Sequence, residues 1–252
     1  MIPPKSSLSA HLGPLYPGQT LTGKLRAARR DGFSEVEFWE LTPEQAEAVR
    51  ASGLRVCSVN VPRGAETDCG RMGDPAAVSW WRTAFDETLA TAVRAGARFV
   101  NLIAGRRLGC GADQDAILVG NLDWALARSR EADVELILEP LSDTAYPGSL
   151  ITTCERAAEI RDALHEPHRL GLLFDAYHVA CSGLEPATVF RRHAAEVRHV
   201  QIADAPGRGE PGTGSIDWTR FFDTLRDTGY RGSVGLEYHP GDGLAGLGWT
   251  TD

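Results

Sequence analysis

The chain has 252 residues, of which 42% are hydrophobic and 24% charged, a balance typical of globular proteins with a sizeable core. Its formal net charge is −8, with 34 acidic against 26 basic residues, so we expect no nucleic-acid partner, because an acidic surface repels phosphate backbones. No apolar run approaches the length of a membrane span, and Met1–Ser9 lacks the pattern of a secretory signal. We therefore expect no membrane partner.

The cysteines indicate a reducing compartment. There are five, an odd number, and they are widely spaced without any Cys-x-x-Cys pair: Cys57, Cys69, Cys110, Cys154 and Cys181. This pattern disfavours a disulfide framework and predicts a cytoplasmic protein with free, mostly buried thiols.

Short apolar segments alternate with helical patterns along the whole chain. We predict eight strands, at Ser7–Leu12, Glu35–Phe38, Arg55–Asn60, Arg98–Ala104, Glu135–Glu139, Leu170–Asp175, Val197–Ile202 and Ser233–Tyr238. Continuous apolar runs are typical of a parallel sheet covered by helices. The pattern predicts an α/β fold, a (β/α)₈ TIM barrel forming one domain over residues 1–252. Because Trp249 lies near the last residue, we expect the eighth helix to be short or absent.

The predicted helices carry start signals and apolar faces. Capping side chains precede three of them, at Thr42, Asp74 and Asp217. Glycines that can adopt the left-handed conformation lie where helices should end, at Gly32, Gly53, Gly96 and Gly229. In the last predicted helix, aromatic and leucine side chains recur with helical spacing, which indicates core packing rather than a ligand-binding site.

Four of the later strands end their apolar runs in a polar residue: Glu139, Asp175, Gln201 and Glu237. Parallel barrel strands bring their carboxyl ends to one face, so we expect these side chains to converge. A single acid at a strand end is more often a helix cap, but four on consecutive strands favour a site. Three converging carboxylates repel one another unless one takes up a proton or a cation is bound. Oxygen-only ligands favour Mg²⁺ or Mn²⁺.

Several segments resemble one family of enzymes. They are His199–Gly214 (HVQIADAPGRGEPGTG), Gly235–Tyr238, Gly246–Trp249, Glu139–Leu141 and Asp175–His178. Together they are similar to the hydroxypyruvate isomerase family of xylose isomerase-like TIM barrels, most clearly between Arg98 and Trp249.

This resemblance implies a metal-dependent isomerase of the aldose–ketose type. Glu139, Asp175, Gln201 and Glu237 would be the metal ligands, and Glu139 and Glu237 would also be the acid/base pair. A chelated α-hydroxy carbonyl has an acidified C–H. One glutamate would remove that proton to give a cis-enediolate, and the other would return a proton to the neighbouring carbon. Movement of a proton between the two oxygens would complete the isomerisation. The expected partner is a small hydroxy-keto acid or sugar, and a homodimer or homotetramer is left open.

Further residues are expected to contact the substrate or to support the ligands. They are His178, Arg208, Glu37, His11, Glu210 and His239. Arg208 and Glu210 lie in a glycine- and proline-rich segment, residues 206–214, which we expect to be a mobile loop that closes over the substrate.

The chain differs from the family pattern at positions around the site. Gly209 replaces a histidine, Ser215 a glutamate and His239 a lysine, and Pro75–Val78 replaces a stretch with an arginine. If cations that bind a substrate carboxylate are lost there, another arginine must replace them. The sequence offers Arg63, Arg71, Arg106 and Arg107 for this role.

Three alternative functions are compatible with this barrel fold. A ketose 3-epimerase on the same barrel would use the same glutamates. By resemblance, however, the epimerases have a metal-ligand set with a histidine where this chain has Gln201. An abasic-site endonuclease needs a histidine-rich, multi-metal site and a basic groove, and seven histidines with a net charge of −8 disfavour it. A non-catalytic barrel that binds a partner would not depend on Glu139 or Glu237.

Overall fold

The computed structural model describes residues 4–65, 68–109, 113–241 and 246–250. In it, eight parallel strands close into a barrel in sequence order, which confirms the predicted TIM-barrel fold. The strands are β1 (Leu8–His11), β2 (Glu35–Phe38), β3 (Arg55–Asn60), β4 (Phe99–Ile103), β5 (Glu135–Glu139), β6 (Leu170–Asp175), β7 (Val197–Ile202) and β8 (Val234–Leu236). β1, β4 and β8 are shorter than predicted, and the other five have the predicted bounds.

Helices cover the outside of this barrel. They are α1 (Leu21–Arg30), α2 (Pro43–Ser52), α3 (Val78–Ala95), α4 (Gln114–Arg128), α5 (Cys154–Asp162), α6 (Ala176–Cys181), α7 (Pro186–His193) and α8 (Trp218–Asp227). Both α6 and α7 lie between β6 and β7. After β8, residues 237–241 and 246–250 contain no helix, as expected for a missing or very short last helix.

Local signals explain where several helices begin and end. Thr42 and Gln45 form a reciprocal capping box at the start of α2, and the side chain of Asp217 accepts a hydrogen bond from the Arg220 N–H of α8. Asp74 caps a short 3₁₀ helix before α3 rather than α3 itself. Gly53 ends α2 with a φ of 75°, a conformation that glycine adopts without steric cost.

The core lies between the barrel and its helices. The aromatic face predicted for the last long helix is buried there, with Trp218 9% exposed and Phe221 fully buried. Within the part of the chain that the structure describes, no helix is both long and apolar enough to span a bilayer. Among the described cysteines, Cys57, Cys154 and Cys181 are free thiols, and Cys110 lies outside the described residues.

Candidate active site

Three carboxylates and one amide lie at the carboxyl end of the barrel strands. Glu139 and Asp175 are the last residues of β5 and β6, Gln201 lies in β7, and Glu237 directly follows β8. The parallel register places these residues next to one another on neighbouring strands, because Asp175 pairs with Gln201 and Gln201 pairs with Gly235. The four residues are between 3% and 5% exposed. The strand-end pattern therefore leads to one buried polar layer.

The carboxylates approach one another closely. Carboxylate oxygens of Glu139 and Asp175 and a ring nitrogen of His178 all lie within 4.8 Å of one another. Arg208 connects Glu237 to this group, since its Nη2 is 3.0 Å from Glu237 Oε2 and 3.8 Å from Asp175 Oδ2. We call Glu139, Asp175 and Glu237 the carboxylate cluster.

Burial and mutual repulsion shift the acidity of this cluster. Burial raises the pKa of Glu139 to about 8, and the charges of Glu237 and Asp175 add to the effect. Burial also raises the pKa of Asp175 to about 7, although Arg208 acts against it. The pKa of Glu237 is lowered, because Arg208 and His11 together with a hydrogen bond outweigh its burial. Without a further cation the cluster therefore retains a proton near neutral pH.

Three buried polar atoms near the cluster have no hydrogen-bond partner within the described ranges. They are Asp175 Oδ2, Gln201 Oε1 and His178 Nε2. A buried polar atom left without a partner costs roughly 1–3 kcal/mol. These atoms are thus suited to a bound cation or ligand.

His178 presents a donor to the cluster. Its Nδ1 accepts a hydrogen bond from the Ser142 backbone N–H at 3.3 Å. Burial lowers its pKa well below 6.5, so the ring is neutral and its single proton is on Nε2. That Nε2 lies 3.6 Å from Asp175 Oδ2. His178 therefore offers the cluster an N–H and not a lone pair. This suits a hydrogen bond to a substrate better than coordination of a metal.

Glu37 lies behind Gln201, deeper in the barrel. Its carboxylate is fully buried and accepts hydrogen bonds from Gln201 Nε2 at 2.8 Å and His199 Nε2 at 2.9 Å. Hydroxyls of Ser9 and Ser58 also donate to it. Glu37 therefore contacts one predicted ligand and none of the carboxylate cluster.

His11 and Trp39 adjoin Glu237. Trp39 Nε1 donates to Glu237 Oε1 at 2.6 Å, and His11 Nε2 lies 3.8 Å from the same oxygen. The two rings are 5.0 Å apart. Sequence reasoning missed Trp39, although it is the first residue after β2 and so has the same strand-end position as the predicted ligands.

The loop after β7 places Arg208 over the cluster. Its guanidinium lies 4.8 Å from the ring centre of Tyr177, and its Nη1 donates to the Tyr146 hydroxyl at 3.5 Å. Asp204 holds the loop by accepting hydrogen bonds from Gly212 N and Trp218 Nε1, both at 2.8 Å. The loop thus already reaches the site in this structure.

Two predicted residues are not brought to the cluster. Glu210 accepts a hydrogen bond from Gly241 N at 2.8 Å and so binds the segment after β8 instead. His239 is exposed, and only its backbone N–H approaches the loop, donating to Arg208 O at 2.9 Å. Proximity in sequence to Arg208 and Glu237 therefore did not predict the direction of these side chains.

Two asparagines at neighbouring strand positions were also missed. Asn101 Nδ2 donates to Glu139 Oε2 at 2.6 Å, and its amide also contacts Asn60 Oδ1 at 3.2 Å. Asn101 lies inside the apolar run of β4, whereas Asn60 is the last residue of β3 and so has the same strand-end position as the predicted ligands. Asn101 fixes one oxygen of Glu139.

An open cavity of about 460 Å³ lies at the carboxyl ends of β1, β2 and β3. Its lining includes Gln19, Lys24, Trp39, Glu40, Gln45 and Arg63, and we call it the Trp39 cavity. Trp39 also donates a hydrogen bond to Glu237, so one residue of the cavity wall contacts the carboxylate cluster.

Comparison with known proteins agrees with this architecture. The xylose isomerase-like TIM-barrel family matches residues 25–250, and the chain belongs to that family. A crystal structure described as an AP endonuclease, family 2, from Brucella melitensis superposes with a TM-score of 0.89 and 25% identity, covering 97% of both chains.

Curated relatives narrow the class to isomerases. A putative hydroxypyruvate isomerase from Homo sapiens is 36% identical, covering 96% of this chain and 92% of its own. The hydroxypyruvate isomerase of Escherichia coli strain K12 is 31% identical, covering 96% of each. The resemblance to the hydroxypyruvate isomerases is thus confirmed over nearly the full length, and the protein is an enzyme of the isomerase class.

Proposed function

We propose that this isomerase acts on a small hydroxy-keto acid, hydroxypyruvate or a close analogue, with one divalent cation, Mg²⁺ or Mn²⁺, as its cofactor. The names of the relatives support the substrate class. The chemistry of the carboxylate cluster supports the need for a cation.

Glu139, Asp175, Gln201 and Glu237 would hold the cation. The observation that carries this assignment is that Asp175 Oδ2 and Gln201 Oε1 are buried without a hydrogen-bond partner among the described residues. They lie beside the carboxylate cluster, in which burial and then the charges of Glu237 and Asp175 raise the pKa of Glu139. An oxygen-only donor set suits a hard cation. When bound, such a cation would polarise the substrate carbonyl and acidify the adjacent C–H.

The proton is moved by Glu139 and Glu237. One of them removes it from the carbon that bears the hydroxyl, which leaves a cis-enediolate, and the other returns a proton to the neighbouring carbon. The hydroxyl proton passes to the former carbonyl oxygen, which completes the isomerisation. Each carboxylate has one oxygen fixed by a donor, Asn101 for Glu139 and Trp39 for Glu237. Fixed orientation lowers the entropic cost of proton transfer.

His178 and Arg208 would orient the substrate. The Nε2–H of His178 has no hydrogen-bond partner in the described part of the chain and can donate to a substrate oxygen. Arg208, whose side chain is 17% exposed, covers the cluster from the loop and limits the access of water. A water-poor site protects an enediolate from protonation at the wrong position.

Isomerisation in D₂O tests the proposal. Protein with Mn²⁺ and hydroxypyruvate should yield tartronate semialdehyde that carries solvent deuterium, followed by NMR, and a chelator should stop the reaction. If the product is absent but ketohexoses are inverted at C3, the protein is an epimerase. If neither reaction occurs and partner proteins bind unaffected by Glu139→Gln, the non-catalytic alternative stands.

A further inference from the structure

The Trp39 cavity carries positive charge in an acidic chain. Lys24 and Arg63 line it against a single carboxylate among its lining residues, Glu40, whereas the whole chain has a net charge of −8. Lys24 donates to Leu12 O at 2.6 Å, and neither cation has an ion-pair partner within the described ranges. Local positive charge beside a reaction centre favours an anionic ligand.

Arg63 is the arginine at this opening that remains available. Its Nη1 donates to the Tyr146 hydroxyl at 3.3 Å, and Arg208 Nη1 lies 3.5 Å from the same hydroxyl. Arg208 is already paired with Glu237 and Asp175. The guanidinium of Arg63 thus lies near the carboxylate cluster without a carboxylate of its own.

Two other arginines that the sequence offers for this role already form ion pairs. Arg71 pairs with Asp74 at 2.6 Å, and Arg107 pairs with Asp143 at 2.6 Å. Arg106 donates to the backbone oxygen of Pro147, and none of these three arginines lines the Trp39 cavity. This leaves Arg63 as the replacement cation that the cavity geometry favours.

The cavity also has the right position for the unreactive end of a substrate. Trp39 is 37% exposed and forms one wall, while its Nε1 donates to Glu237 Oε1 at 2.6 Å. A molecule whose reacting carbons lie at the carboxylate cluster can therefore extend past Trp39 towards Arg63 and Lys24.

We propose that the Trp39 cavity is a carboxylate subsite in which Arg63 is the principal contact and Lys24 a second one. The planar guanidinium presents paired N–H donors that match the two oxygens of a carboxylate. The subsite selects keto acids over neutral ketoses of the same length. It rests on the proposed function, because it holds the end of the substrate that does not react.

A matched pair of substrates isolates the carboxylate. Hydroxypyruvate and dihydroxyacetone share the reacting hydroxymethyl ketone and differ only in a carboxylate against a hydroxymethyl group. For Arg63→Gln we expect the KM for hydroxypyruvate to rise about 10- to 100-fold, the range for a lost charged hydrogen bond, with little change in kcat. Kinetics with dihydroxyacetone should be unchanged. Arg63→Lys should show an intermediate loss, and Arg55→Gln, which alters a surface pair with Glu35, should show none.

Three results would overturn the assignment. Equal losses of activity on hydroxypyruvate and dihydroxyacetone in Arg63→Gln would make Arg63 a structural residue. Dependence on Arg63 for dihydroxyacetone phosphate but not for hydroxypyruvate would make the subsite one for phosphate. Equal malonate affinity of the wild type and Arg63→Gln, measured calorimetrically without turnover, would remove the subsite altogether.

The malonate titration also separates this inference from the proposed function. If the wild type isomerises neither hydroxypyruvate nor dihydroxyacetone, the proposed function fails. Malonate binding that is lost in Arg63→Gln and kept in Arg55→Gln would still support the carboxylate subsite.

Discussion

Gln201 donates its amide N–H to the buried carboxylate of Glu37 at 2.8 Å, and its carbonyl oxygen has no hydrogen-bond partner among the described residues. An ionised carboxylate only accepts hydrogen bonds, so Glu37 determines which end of the amide is left for a ligand. Burial raises the pKa of Glu37, but His199 and the Ser9 hydroxyl outweigh it and bring the pKa to about 2. Glu37 is therefore a permanent acceptor that orients Gln201.

Loss of this acceptor should weaken metal binding. We expect Glu37→Gln to lower the affinity for Mn²⁺ by about 10- to 100-fold, the usual effect of removing a residue that orients a ligand. Titration followed by electron paramagnetic resonance measures it. Glu35→Gln is the matched control on the same strand, since Glu35 pairs with the exposed Arg55. Equal affinity in the two variants would contradict the role of Glu37.

The two glutamates of the proposed acid/base pair should be essential. We expect Glu139→Gln and Glu237→Gln each to lower kcat by at least about 10²- to 10⁴-fold, since each removes a proton-transfer group. Steady-state assays with hydroxypyruvate measure the loss, and circular dichroism checks the fold. Glu210→Gln should keep the wild-type rate, because Glu210 binds Gly241 N instead. A wild-type rate in Glu139→Gln would refute the mechanism.

The metal-free protein should lose stability as the pH rises. Burial raises the pKa of Glu139 from its ordinary 4.5 to about 8, so the folded chain holds a proton that the unfolded chain releases. The stabilisation of the folded state by this proton is fully present below pH 4.5 and is lost as the pH rises through 8. In thermal melts between pH 5 and 8 with a chelator, Glu139→Gln should lose less stability than the wild type. Parallel curves for the two proteins would show that Glu139 is not the group responsible.

A divalent cation should stabilise the folded state. At a Mn²⁺ concentration about 100 times Kd, binding adds about 2.7 kcal/mol and raises Tm. Asp175→Asn should remove most of this gain, because it takes a charge from the cluster. Asp143→Asn, which changes a surface pair with Arg107, should keep it. A gain in Tm that is the same in both variants would place the cation elsewhere.

The barrel and the positions of the ligand candidates followed from local patterns. Glu139 and Asp175 end apolar runs, and parallel strands bring such ends to one face regardless of the helices between them. The limits of β8 were less predictable: Val234–Leu236 is shorter than the apolar pattern, because a strand ends where its partners stop hydrogen bonding. The side chain of Glu210 accepts a hydrogen bond from Gly241 N rather than contacting the carboxylate cluster, because loop sequence does not define the direction of a side chain.

Periodicity, strand-end polarity and turn residues are properties of neighbouring residues, and they determined the barrel and the strand-end positions of Glu139, Asp175, Gln201 and Glu237. The contacts that tune those side chains join distant parts of the chain. Trp39 and Glu237 are 198 residues apart, and Glu37 and Gln201 are 164 apart. Only barrel closure brings such pairs within hydrogen-bond distance, so the orientation of Gln201, the shift of each carboxyl pKa and the positive Trp39 cavity were decided by tertiary structure.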